Sequence, residues 1–116
     1  METPEFNIEI VQGATFDLGF MYEDETGTPI DLSSSKIRMQ FRQRHGGKVL
    51  ANLSSDTTGI TRMVDNLGGF DVRIDRAATL RMPPTEGVYD VFIDHTGGVS
   101  ECLIRGELTI IPAVTK

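Results

Sequence analysis

Apolar and polar residues alternate along most of this chain with a period of two, the mark of half-buried β-strands. Phe6, Ile8 and Ile10 alternate with Asn7 and Glu9, and Gln12-Gly13 breaks the run. Phe16, Leu18, Phe20 and Tyr22 give a second strand with an aromatic inward face. A polar turn from Glu23 to Pro29 leads to a short strand or bend at Ile30 to Leu32, and Ser33 to Ser35 form a link. Lys36 to Arg44 places Ile37, Met39 and Phe41 on one side, and Lys48 to Ser54 returns as its hairpin partner. Ile60 to Val64 is a weak strand; Phe70, Val72 and Ile74 mark the clearest one. Val88 to Asp94 and Val99 to Ile111 form a last hairpin, closed by Pro112. The glycine pairs at 46–47, 68–69 and 97–98 read as hairpin turns.

Arg76 to Met82 lacks the alternation. The sequence predicts one short helical turn near 76–82, capped by Asp75 and ended by Pro83-Pro84. Elsewhere no helical periodicity is convincing. Eight or nine short strands at a spacing of roughly 8–12 residues predict an all-β fold, a single antiparallel β-sandwich of Ig-like type. One domain spans 1–116, with assembly arms expected at 1–7 and 112–116.

Composition narrows the partners. A chain of 116 residues buries roughly 65% of its unfolded surface, enough for a core without metal or disulfides. Cys102 is the single cysteine, so no internal disulfide can form, and cytosolic synthesis is expected. The opening residues are acidic and alternating, unlike a leader, and no apolar run is long enough to cross a bilayer. Seventeen acids against 11 bases leave a net charge of −6, which disfavours nucleic acid. Lys36, Arg38, Arg42, Arg44 and Lys48 cluster, but without interleaved aromatics they read as an exposed strand face.

Candidate chemistry is sparse. His45 and His95 sit at hairpin tips, and Cys102 is the lone thiol, so a zinc site would need distant residues to converge. Glu23, Asp24, Glu25 and Asp31 could gather a hard cation but match no loop signature. Asp90 and Asp94 share a strand face and read as solvent-facing. Cys102 falls in step with Ile104, Leu108 and Ile110 and is expected to point inward as a small hydrophobe. The loop serines have no visible base partner, and no glycine pair opens a helix, so no phosphate cradle is expected. No catalytic, metal or cofactor residues are assigned, and the chain is not expected to be an enzyme. Phe92, Leu103 and Ile111 are expected to face outward as an apolar strip that binds a protein partner.

Several segments together carry a resemblance. They are Gly13-Ala14-Thr15-Phe16-Asp17-Leu18, the run Asp24 to Leu32, a strand with Arg42, Gly69-Phe70-Asp71-Val72-Arg73-Ile74, Ala78-Thr79-Leu80, Gly87-Val88-Tyr89-Asp90-Val91, and the close from Gly106 to Thr115. In this order the chain resembles small Ig-like β-sandwich structural proteins of tailed phages and prophages. The resemblance implies a non-enzymatic virion component of the tail, baseplate, collar or decoration type, made in the host cytoplasm. Its expected partners are other virion proteins and itself, with no nucleic acid and no membrane. Baseplate relatives often continue into a fibre- or receptor-linked region. This sequence ends at Lys116, so an adaptor, collar or decoration role is the expectation. The alternative is a small ligand-binding module for carbohydrate or calcium.

Overall fold

Eight strands and one short helix follow from the alternation. They are β1 (Ile8–Val11), β2 (Phe16–Met21), β3 (Lys36–Arg42), β4 (Val49–Ser54), β5 (Ile60–Arg62), β6 (Gly69–Ile74), α1 (Arg76–Arg81), β7 (Glu86–Asp94) and β8 (Ser100–Ile111). The computed structural model describes residues 3–115; Met1, Glu2 and Lys116, at the ends of the two expected arms, lie outside the described residues. One sheet has the order β1-β8-β7-β3-β4 and the other β2-β6-β5. The first and last strands pair in parallel, Ile8 with Leu108 through Val11 with Ile111, while every other strand pair is antiparallel. This is the layout of an Ig-like sandwich: three strands face a larger sheet built on a central hairpin and its neighbours.

The core lies between the sheets. Ile37, Met39, Phe41, Val91, Ile93 and Leu108 from the larger sheet are buried, as are Phe70 and Val72 from the smaller one. One aromatic contact, Phe16 with Phe41, connects the layers, and two others lie within a single sheet. Phe16 meets Phe41 edge-on at 6.3 Å, Phe41 meets Tyr89 at 6.0 Å, and Phe20 stacks on Phe70 at 5.2 Å. Leu32 is also wholly buried, so the Ile30–Leu32 bend is core lining without being a strand.

Helix α1 starts where the sequence places it. The Asp75 carboxylate accepts the Ala78 N–H at 2.9 Å, the N-cap bond that satisfies an orphan donor. Thr79 is fully buried; its hydroxyl donates to Ala14 O at 2.9 Å and accepts from Gly13 N at 3.1 Å. Nearby, the Gln12 amide donates to Met82 O at 2.7 Å and accepts from Ala113 N at 3.3 Å. The turn after β1, the helix and the chain leaving β8 are therefore fastened together at one end of the sandwich. Because buried polar groups must be paired, this latch also fixes the position of the 112–115 segment.

The N-terminal segment is not free either. Phe6 N donates to Arg105 O at 2.9 Å, Arg105 N donates to Pro4 O at 3.1 Å, and Glu107 N donates to Asn7 Oδ1 at 3.0 Å. The buried Tyr89 hydroxyl donates to Phe6 O. Residues 4–7 thus extend β1 along β8 of their own domain. Gly106 permits this, because a Cβ there would overlap the Phe6 carbonyl.

The three glycine pairs differ; of Gly46 and Gly47 only the first has positive φ. Gly97 and Gly98 both have positive φ, as a tight hairpin requires. Gly68 and Gly69 do not; a Cβ on Gly68 would run into Tyr22 O, and one on Gly69 into Met63 Sδ. Close packing, rather than left-handed backbone, selects glycine there.

The docked N-terminus gives a test. Gly106→Ala should cost about 1–3 kcal/mol through overpacking. It should also remove hydrogen-exchange protection at the Phe6 and Arg105 amides. Unchanged stability and protection would show that residues 4–7 do not lie on β8.

Candidate functional site

The outer face of the five-stranded sheet carries a shallow groove of about 570 Å³. Gln40 and Arg42 come from β3, Val88, Asp90 and Phe92 from β7, and Cys102, Arg105 and Glu107 from β8. Cross-strand register sets this face, since Arg38 lies opposite Phe92 and Gln40 opposite Asp90. The Arg38 guanidinium sits 4.6 Å above the Phe92 ring and forms a two-point contact with Asp94, at 2.8 and 3.3 Å. Arg38 and Ser100 both donate to Asp94 and hold its carboxyl below the usual range. Arg42 donates to Gln40 Oε1 at 3.0 Å and to Gly47 O at 2.8 Å. Two members of the basic strand face predicted from sequence, Arg38 and Arg42, are thus tied to their own sheet and its turn.

The expected strip does not form one surface. β8 has a bulge where Val91 faces Ile104 but Phe92 faces Cys102, so Leu103 is the extra residue. A one-residue shift exchanges the two faces of a strand. Cys102 therefore shares the outer face with Phe92, contrary to its expected inward position. Leu103 packs against the core together with Ile104. Ile111 does face outward beside Val11, but roughly 25–30 Å along β8 from Phe92. Burial and the Asp90 charge push the Cys102 thiol up, so it stays protonated rather than nucleophilic.

The same bulge builds a second polar feature. Glu101 turns toward the smaller sheet and accepts from the Tyr22 hydroxyl at 2.5 Å. His95 Nε2 lies 2.7 Å from the same Glu101 oxygen, and Nδ1 lies 3.4 Å from Ser35 Oγ. An ionised carboxylate only accepts, so Nε2 carries the proton toward Glu101. Its two donors hold the Glu101 carboxyl below its usual range, while burial first, then Glu101, push the Tyr22 phenol up to about 12. A serine, a histidine and a carboxylate in series resemble the parts of a hydrolase. Here Ser35 is only 6% exposed, so its hydroxyl is closed to a substrate. The group instead joins the end of β2, the 33–35 link and the last hairpin, helped by Thr96 donating to Ser34 O at 3.1 Å.

His45 sits with the β3–β4 turn at one end of the sandwich, whereas His95 sits at the other, so the two do not meet. Asp24 accepts from the Thr26 and Thr28 amides and the Thr26 hydroxyl, and Asp31 accepts from Ser33 N. These carboxylates shape their own turns. Among the described residues, no cluster of three His, Cys, Asp or Glu side chains could hold a metal ion.

No protein-family profile matches the sequence, and no curated protein is similar to it. A solved structure from a study of multimeric cell-adhesive interactions of VGSC beta subunits is similar in shape. Its TM-score is 0.49 at 10% identity, and the match covers 92% of each chain.

Two tyrosines give the fold a signature in alkali. Burial also pushes Tyr89 up to about 12. Unfolded tyrosine ionises near its ordinary value of 10.0, so the folded state holds these protons longer. Stability from both phenols is therefore present below pH 10.0 and falls as pH rises toward about 12. Urea unfolding across this interval should show that decline. Tyr22→Phe and Tyr89→Phe should each make it shallower, and an unaltered slope in both variants would contradict the assignment.

Proposed function

We propose that this chain is a non-enzymatic structural protein of a tailed-phage virion. In this reading it is a tail, baseplate, collar or decoration component that binds other virion proteins and itself. It is made in the host cytoplasm and ends in the particle. The ordered series of segments from Gly13 to Thr115 supports the virion assignment. One structural observation supports the binding role: exposed large apolar side chains concentrate at the two ends of an elongated domain measuring 43 × 29 × 25 Å.

At one end, Val11, Leu80 and Val114 are exposed around the Gln12–Thr79 latch. At the other, Met21 ends β2, Leu67 and the 98%-exposed Val64 lie in the β5–β6 turn, and Val99 lies in the β7–β8 turn. Scattered exposed apolar residues are ordinary, but groups at opposite poles suit a domain that stacks end to end. Each group lies beside loops fixed by hydrogen bonds, buried at the first end and part-buried at the second, so its shape is set before a partner arrives.

The test separates association from folding. Light scattering over a concentration series should report a defined oligomer. Val64→Lys with Leu67→Lys should shift it toward monomer while changing stability by less than about 0.5 kcal/mol, as surface substitutions do. Labelling of purified particles with an antibody to the domain should mark the virion. A monomer at all concentrations, together with unlabelled particles, would refute the reading.

A further inference from the structure

A sandwich of two open sheets has four edges, here β1, β4, β2 and β5. Unpaired edges attract other strands, and proteins normally blunt them with charge, proline or short length. Three of the four are blunted. β1 has four residues and carries Glu9, β5 has three and carries Arg62, and β2 carries Asp17. β4 differs: Val49-Leu50-Ala51-Asn52-Leu53-Ser54 has no charge and no proline over six residues, and a single bulge at Leu50 is its only such device.

A groove of about 300 Å³ runs beside this edge. Buried Ile74 and Met82 and half-buried Ala78 line it from the side of α1. The bulge opposite Phe41 and Arg42 leaves Leu50 unpaired in the ladder and packs it against the core beside the groove. Lys48 and Arg81 stand exposed at the rim. Neither has an ion-pair partner among the described residues, and no acidic side chain lines the groove. On a chain of net charge −6 this is a local reversal of sign.

We propose that the β4 edge and the groove between it and α1 form a strand-addition site for an extended segment of a partner protein. The segment carries apolar side chains at alternate positions and an acidic side chain at the Lys48–Arg81 rim. Each component has a physical role. The outward backbone groups of β4 ahead of Ser54, whose own N–H is held by Thr58 O, supply ladder hydrogen bonds, and the alternation of a strand directs every second side chain into the groove. The two cations select acid over base at the rim and speed encounter. The site deepens the reading of the domain as a protein-binding module and does not depend on the virion assignment.

The experiment uses a short fluorescein-labelled peptide in which valine alternates with threonine between terminal glutamates. Fluorescence anisotropy measures binding, and amide shifts of the isotope-labelled protein locate it. Saturable binding is expected, with the largest shifts at Val49 to Leu53 and Ala78 to Met82. Methylating alternate peptide nitrogens should abolish it. Replacing the glutamates with lysine, or making Lys48→Glu with Arg81→Glu, should weaken it about tenfold. Circular dichroism and the melting temperature of the double variant check its fold. Absence of binding would overturn the proposal, as would shifts confined to β1, β2 or the outer sheet face, or indifference to methylation. Exchange protection of the β4 amides that grows with protein concentration would also overturn it, because a second copy would then hold the edge. If the peptide fails while end-to-end association persists, the strand-addition site falls alone and the assembly reading stands.

Discussion

The structure depends on one extra residue in its last strand. β8 must hold β1 on one side and β7 on the other, and it must also close the end of the sandwich. The bulge at Leu103 lets one strand do both. Beyond it toward the C-terminus, Leu108 and Ile110 fill the core; before it, Glu101 faces inward and ties down Tyr22 and His95. Without the shift, Cys102 would take the inward place and Glu101 would be in solvent. The bulge also turns Cys102 and Phe92 onto the same outer face, where Arg38 covers the ring.

The two ends are closed by different chemistry for the same reason. A sandwich leaves its core exposed wherever strands turn back, and loops crossing those openings carry polar backbone that must be paired. At one end a glutamine and a threonine provide the pairing, both neutral and both buried. At the other a carboxylate, a phenol and an imidazole provide it at partly exposed positions. Arg62 adds to the second closure by donating to Leu32 O at 3.1 Å and to Ser35 O.

Much of the fold was legible in the sequence because its strands are half-buried. Ile37, Met39 and Phe41, then Phe70, Val72 and Ile74, then Tyr89, Val91 and Ile93 all point inward as their alternation predicts. The helix was legible from Asp75 and Pro83-Pro84, and it ends at Arg81 within a residue of expectation. The phase of β8 was not legible. Cys102, Leu103 and Ile104 are consecutive apolar residues, so both faces fit the pattern and only the partner strand decides between them. The polar group at Tyr22, Ser35, His95 and Glu101 was hidden because its members are up to 79 positions apart. Nor could alternation show that residues 4–7 lie on β8, since the contact depends on the missing side chain of Gly106.

The parallel pairing of β1 with β8 has a consequence for biosynthesis. Ile8 meets Leu108, 100 positions later, so β1 finds its neighbour only after nearly all of this domain has left the ribosome. Until then β1 has no ladder, β7 shows a bare edge, and the polar fasteners at both ends lack one side. Contacts this far apart in sequence make folding slow and leave the incomplete domain prone to pairing with other nascent chains. The domain therefore closes in a single step, in which β8 is inserted between two strands already waiting for it.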